Sequence, residues 1–216
     1  MPTPGFAEQA SRLLTAWTAA GDEAPSGSGL ALALRAAARA TVRGRERDLE
    51  VVWTGPDAGE PVRLTAAVVD EVIGSAAHSL IVLSYASYRV PAVEEALKAA
   101  AGRGVRIDLV LETAEDSAGR LEFDAAEQLG RLESVTAWHW PADERPQLER
   151  GSAALHAKAI IADARLAFVT SANLTGHALT HNIELGLLVR DRPTAASIGG
   201  HVRGLMRHGT LRRLVP

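Results

Sequence analysis

Apolar positions along the 216-residue chain follow two patterns that change over near residue 49. Residues 6–19, FAEQASRLLTAWTA, set Phe6, Ala10, Leu13, Leu14 and Trp17 on one stripe at helical spacing. A polar break, GDEAPSGSG, covers 21–29, and a second helix is predicted from about Leu30 to Arg43, with Ser26 and Ser28 as N-cap candidates. From Leu49, LEVVWTG reads as a strand ending in a turn. Residues 64–77 fit a helix striped by Leu64, Val68, Val69 and Val72. LIVLSYAS (80–87) is a short apolar run of the buried-strand kind. VPAVEEALKAAAGRG (90–104) is a helix with Pro91 at its start and Gly102 or Gly104 at its end. VRIDLVLE (105–112) is again a strand, and this strand, helix, strand order marks a parallel βαβ unit.

Further on, the pattern predicts a helix over 121–130, a strand over 134–140 and a polar loop over 141–152. Strands follow at about 155–162 and 166–170, then a loop through 171–181, a strand over 182–189 and a helix over about 193–207. The fold class is α/β: a mixed sheet flanked by helices over 49–216, preceded by a short helical extension over 1–48.

Composition narrows the chemistry. There is no cysteine, which excludes disulfides, thiol catalysis and cysteine-ligated zinc and fits a reducing compartment. No signal peptide opens the chain, and no run reaches the roughly 18 apolar residues of a spanning helix. A cytoplasmic protein that makes no use of a membrane is expected. The net charge of -3 is not the global signature of a nucleic-acid binder, so any such contact must use local patches. Lys98 and Lys158 are the only lysines among 23 Lys and Arg, so a lysine two residues after a histidine is informative.

That pair lies in LHAKAIIADARLAFVTSANLT (155–175). On the predicted strand, His156 and Lys158 share a face about 7 Å apart, while Asp163 has the opposite parity, falls near a turn and is expected to be structural. Imidazole serves as nucleophile or general base near neutrality. Lys158 supplies a fixed positive charge, and Ser171 and Asn173 add neutral donors two residues apart. Glu184, on the following strand, is placed to accept a hydrogen bond from the far ring nitrogen of His156 and fix its tautomer. Such a set suits phosphoryl transfer.

His156, Lys158 and Asp163 match H-x-K-x4-D, and the chain resembles the phospholipase D superfamily in this HKD motif. Ser171 and Asn173 match the G-S-x-N element that follows it, with Thr170 in place of the usual glycine. Glu184 sits where single-motif nucleases of the superfamily carry a glutamate. The active-site motif covers about 150–177, and the wider similarity covers roughly 65–190. VVWTGP, LHAKAIIAD and FVTSANLTGHAL resemble, more narrowly, the phospholipase-D-like components of DISARM anti-phage systems. The resemblance implies a nuclease working through a phosphohistidine, with no cofactor and no metal, and a homodimer in which each subunit lends one histidine. Nucleic acid, and possible other defence-system proteins, are the partners it implies. Two alternatives stay open: a lipid phosphodiesterase or phosphatidyl transferase, and a non-catalytic nucleic-acid-binding component.

The remaining histidines (His78, His139, His177, His181, His201 and His208) lack the motif's lysine, and surface or capping roles are expected of them. His177 and His181 are four apart but have no third metal ligand in view. Arg35, Arg39 and Arg43 form a ridge, and Arg203, Arg207, Arg212 and Arg213 a C-terminal run without acids. Either could track a phosphate backbone; solvated helix faces are the commoner explanation.

Overall fold

The computed structural model describes residues 6–57, 59–85, 90–113, 116, 134–146 and 153–214, so the helix predicted over 121–130 lies outside the described residues. The chain divides into two compact units, Met1–Glu46 and Arg47–Pro216. The first carries α1 (Phe6–Ala19) and most of α2 (Gly27–Arg47). Ser26 caps α2 by accepting from the Gly29 amide at 3.2 Å, and Trp17 Nε1 donates to the Pro25 carbonyl at 2.8 Å.

The second unit is built on one mixed sheet. Its strands are β1 (Leu49–Thr54), β2 (Arg63–Leu64), β3 (Ser79–Ser84), β4 (Arg106–Leu111), β5 (Val135–His139), β6 (Ala159–Ala162), β7 (Leu166–Thr170), β8 (Glu184–Val189) and β9 (Arg212–Arg213). They lie in the order β2-β1-β8-β7-β6-β3-β4-β5-β9. β3, β4 and β5 run parallel, while β6, β7 and β8 pair antiparallel beside them. The helices are α3 (Thr65–Ser75), α4 (Pro91–Gly102), α5 (Gly176–Thr180) and α6 (Arg192–Arg207).

Strand alternation sorts two cores. Leu80, Val82, Ile160, Phe168 and Leu188 pack with Val68 and Val72 of α3 and Leu97 of α4. Ile81, Val110, Ile161, Ala167 and Val189 pack with Ala195 and Val202 of α6. β3 is covered on both faces, which is why its sequence is a run of apolar residues.

Three expectations change. The strand predicted over 155–162 is only Ala159–Ala162, with residues 153–158 outside the ladder. The Ala153 and His156 carbonyls and the Leu155 amide bond to side chains instead, as described below, while the Lys158 carbonyl accepts from the Thr170 amide at 3.2 Å. The loop predicted over 171–181 contains α5, capped by Thr175, whose hydroxyl accepts from the Ala178 amide at 3.3 Å. β2 and β9 have two residues each, too few for any periodicity to reveal.

The β6–β7 turn has two left-handed residues, Asp163 (φ 51°) and Ala164 (φ 52°), closed by the Arg165 amide on the Ala162 carbonyl at 2.9 Å. Two positive φ values are the mark of a type I′ hairpin turn.

Candidate active site

His156 and Lys158 lie just before β6, beside the C-terminal end of β3. The imidazole is exposed and the lysine is 9% exposed. The Lys158 ammonium sits 2.9 Å from Nδ1 and 3.2 Å from Nε2 of His156, and also donates to the His156 carbonyl at 2.9 Å. Tyr85, the residue after β3, completes this cluster. Its ring centre is 5.1 Å from that of His156 and 5.9 Å from the ammonium.

The other wall comes from β7, its following turn, and β8. Ser171 Oγ donates to Glu184 Oε2 and accepts from the Leu185 amide at 3.1 Å. Asn182 donates to Glu184 Oε1 at 3.0 Å. The side-chain oxygen of Asn173 is buried and has no hydrogen-bond partner among the described residues. Leaving a polar atom in that state costs about 1–3 kcal/mol, and such exceptions concentrate where a ligand or catalytic role explains them. Thr170, in the glycine position of the motif, has no left-handed backbone. Its hydroxyl accepts from the Ala172 amide at 3.0 Å, so the side chain stabilises the turn rather than obstructing it.

A buried ion pair supports the segment before His156. Arg145 and Glu112 side chains are 3% and 0% exposed and meet at 2.8 Å. Glu112 Oε2 also accepts from the Leu155 amide at 2.9 Å, and Arg145 donates to the Ala153 carbonyl at 2.9 Å. Further bonds tie Arg145 to the Trp140 carbonyl at 3.0 Å and the Asp116 carbonyl at 3.3 Å. Asp116 in turn receives His139 Nδ1 and the Thr113 hydroxyl, both at 2.6 Å, and the Ala142 amide at 2.9 Å. Burial pushes the Asp116 carboxyl up, but these donors outweigh it and hold it below the usual range.

Burial is also the main influence on Lys158, and it pulls the ammonium below the ordinary lysine range. The negative charge of Glu184 opposes that shift. Lysine and glutamate are therefore electrostatically coupled across the site.

The expected bond from His156 to Glu184 is not present: both Glu184 oxygens are taken by Ser171 and Asn182. Nor do His156 and Lys158 meet through strand alternation. They sit on an irregular segment that lets the ammonium fold back on the ring. Asp163 lies beyond the far end of β6, where its carboxylate accepts from the Ala77, His78 and Ser79 amides, each at 2.8 Å. Tyr85, Glu112 and Arg145 were not singled out from the sequence. Tyr85 and Glu112 each directly follow a parallel strand, at the carboxyl ends where α/β folds place their sites, and that was the available signal. His177 and His181 form an exposed ring pair 5.5 Å apart. Among the described residues no group of three or more His, Asp or Glu is placed to hold a metal ion, and no helix is long and apolar enough to cross a membrane.

Residues 69–205, more than half of the chain, match the family model described as cardiolipin synthase, PLD-like domain. The chain belongs to this PLD-like family of the phospholipase D superfamily. In sequence it is similar to the DISARM protein DrmC of Bacillus paralicheniformis, with 32% identity over 151 residues, 67% of this chain and 58% of that protein. It thus spans less than two thirds of that relative's length. In fold it is similar to NucT from Helicobacter pylori, with a TM-score of 0.58 at 17% identity over 69% of this chain and 91% of that one. It is also similar to Nuc, a phospholipase D family member from Salmonella typhimurium, with a TM-score of 0.54 at 22% identity over 78% and 98% of the two chains.

Proposed function

We propose that this protein is a phosphodiesterase that cleaves nucleic acid through a phosphohistidine on His156, without a metal, in bacterial defence against phage. The observation that carries the reading is the nearly buried Lys158 ammonium 2.9 Å from the His156 ring. A phosphodiester entering the site draws the ammonium onto its non-bridging oxygens and frees a ring nitrogen for attack. The nitrogen–phosphorus bond forms as the bond to the leaving oxygen breaks, and a second imidazole gives that oxygen its proton. Water then attacks phosphorus, the same second imidazole takes its proton, and the nitrogen–phosphorus bond breaks. Asn173, whose side-chain oxygen is unpartnered, is the polar group left for substrate; its amide orientation follows the hydrogen bonds available. Ser171 positions Glu184, and Glu184 tunes the charge of Lys158. The similarity to a DISARM protein supports the defence setting and the possibility of other defence-system proteins as partners.

One chain supplies one motif histidine, so the second imidazole is assigned to His156 of the partner subunit in a homodimer. An apolar sheet face supports this pairing. Val51, Val169, Leu185 and Leu187 are 48%, 40%, 54% and 43% exposed, and Leu187 is opposite Val51 in one register and Val169 in the other. Such a contiguous face on a soluble domain marks an interaction surface. The same face also favours the lipid alternative.

The test is incubation with single- and double-stranded DNA and RNA in excess chelator, with trapping of the adduct on the peptide containing residue 156. Cleavage by wild type, its loss in His156→Ala and a dimeric mass in solution are expected. Cleavage that requires an added divalent cation, or that survives His156→Ala, overturns the mechanism. Flotation with anionic vesicles, with a monomeric mass, transfers the apolar face to a lipid.

A further inference from the structure

At the end of β3 opposite the His156 cluster, a second group of charged residues lines a cleft of about 290 Å³. Ser79 opens β3, Arg106 and Asp108 open β4, Thr136 lies in β5, Arg203 projects from α6 and Arg213 from β9. The register sets Ser79 beside Arg106 and Asp108 beside Thr136. Ser79 has the parity of Ile81, and Arg106 and Asp108 that of Val110, so they face the α6 side of the sheet. From Ser79 to Ser84 the strand rises about 17 Å, which separates the cleft from the candidate active site.

Charge in this cleft is unbalanced. Three arginines line it against one acidic residue, Asp108, whose carboxylate accepts from Trp138 Nε1 at 2.8 Å. Arg203 donates to the Ser79 hydroxyl at 3.1 Å, and Arg213 stacks 5.2 Å from the centre of the Trp138 ring. Among the described residues, Arg106, Arg203 and Arg213 have no acidic partner. Four other arginines of the same unit are matched, Arg63 and Arg190 sharing Glu50 and Glu71, Arg145 holding Glu112 and Arg212 holding Glu144, while Arg103, Arg165, Arg192 and Arg207, which lie outside the cleft, have no acidic partner among the described residues. Converging like charges repel one another, and an anion in the cleft offsets that repulsion. Arginines from three elements (β4, α6 and β9), together with Ser79 and Thr136, offer the donors that suit the several acceptor oxygens of a phosphate.

We infer that this cleft is a second, non-catalytic anion site that binds a phosphate, and that the phosphate belongs to the backbone of a nucleic-acid strand. The first part stands on the cleft itself. The second rests on the nucleic-acid reading proposed above.

The test uses the full chain carrying His156→Ala, so that binding is read without turnover, with and without Arg106→Gln and Arg213→Gln. Both arginines are exposed and form no salt bridge among the described residues, so an unchanged melting temperature shows that the fold is intact. The probes are a labelled single-stranded oligonucleotide titrated at several salt concentrations, and inorganic phosphate followed by calorimetry. The double variant is expected to bind the oligonucleotide about tenfold more weakly, with a salt slope shallower by about one to two, and to lose the phosphate site of this cleft while any phosphate held at Lys158 remains. In the wild-type background, turnover of a small chromogenic phosphodiester is expected to be unaffected. Oligonucleotide and phosphate binding both unchanged would overturn the inference. Loss of phosphate binding alone overturns its nucleic-acid part and assigns the cleft to a free phosphate compound. Loss of phosphate binding in a protein that cleaves no nucleic acid leaves the cleft standing and removes the catalytic reading.

Discussion

The Leu155 amide donates to the Glu112 carboxylate at 2.9 Å, and Leu155 immediately precedes His156. The same carboxylate holds Arg145, so an ion pair with side chains 3% and 0% exposed fixes the approach to the imidazole. Removing one partner of a buried pair leaves an uncompensated charge, which costs about 3–5 kcal/mol. Glu112→Ala is therefore expected to lower unfolding stability by about that amount in urea titrations. Activity per folded molecule should also fall, because the chain before His156 loses an anchor. A loss below about 1 kcal/mol would show that the pair does not hold this segment.

The coupling of Lys158 to Glu184 gives a signed pH effect. Burial lowers the lysine and Glu184 raises it. The ammonium is needed charged, so kcat/KM should fall on the alkaline side, below the roughly 10.4 of a free lysine. Glu184→Gln removes the influence that raises it, and the alkaline limb should move to lower pH. A limb that stays put, or moves up, contradicts the assignment.

Asp163 anchors the start of β3 through three backbone amides. Burial raises its pKa, but those amides outweigh burial and lower it overall. A depressed carboxylate adds stability above its unfolded pKa, near 4, and loses it as pH falls through the folded value. Asp163→Asn tolerates the left-handed backbone while removing the charge. It should cost about 2 kcal/mol at pH 7 and progressively less below about pH 4. Urea midpoints at pH 7 and pH 3 check both halves.

Next to it, Ala164 holds φ 52° without glycine's freedom. Ala164→Gly makes Asp-Gly, a favoured type I′ pair, and should raise stability by about 0.5–1 kcal/mol after the entropy of a freer unfolded chain is deducted. A lower melting temperature would argue against this turn.

Gly186 faces the opposite constraint. A Cβ there would lie 2.5 Å from a ring carbon of buried Phe168 and 3.0 Å from the Val169 carbonyl oxygen. Gly186→Ala should cost about 1–3 kcal/mol through overpacking, visible as a lower denaturation midpoint.

Much of this architecture was legible because periodicity reports burial. The two-sided core around β3 reads as an apolar run, and α3 and α4 carry clear stripes. The candidate site stood out because the spacing of His156, Lys158, Ser171, Asn173 and Glu184 resembles the superfamily's motif. What joins them was less so. The fold-back of Lys158 onto the ring needs a segment outside the ladder, and that depends on Glu112 and Arg145, 33 residues apart in sequence. Nothing local distinguishes them from a strand-end acid and a loop arginine. Exposure of Val51, Leu185 and Leu187 also escaped the sequence, since their alternation looks the same whether or not a helix covers the face.

Strand β8 begins at Glu184, with Gly186 and Leu188 facing inward, and presents Leu185 and Leu187 outward. On the paired reading, whatever seals the outer row also steadies the carboxylate at the strand's tip. If the proposed pairing holds, the rate per chain rises with protein concentration, because a lone copy carries only half of the proposed mechanism.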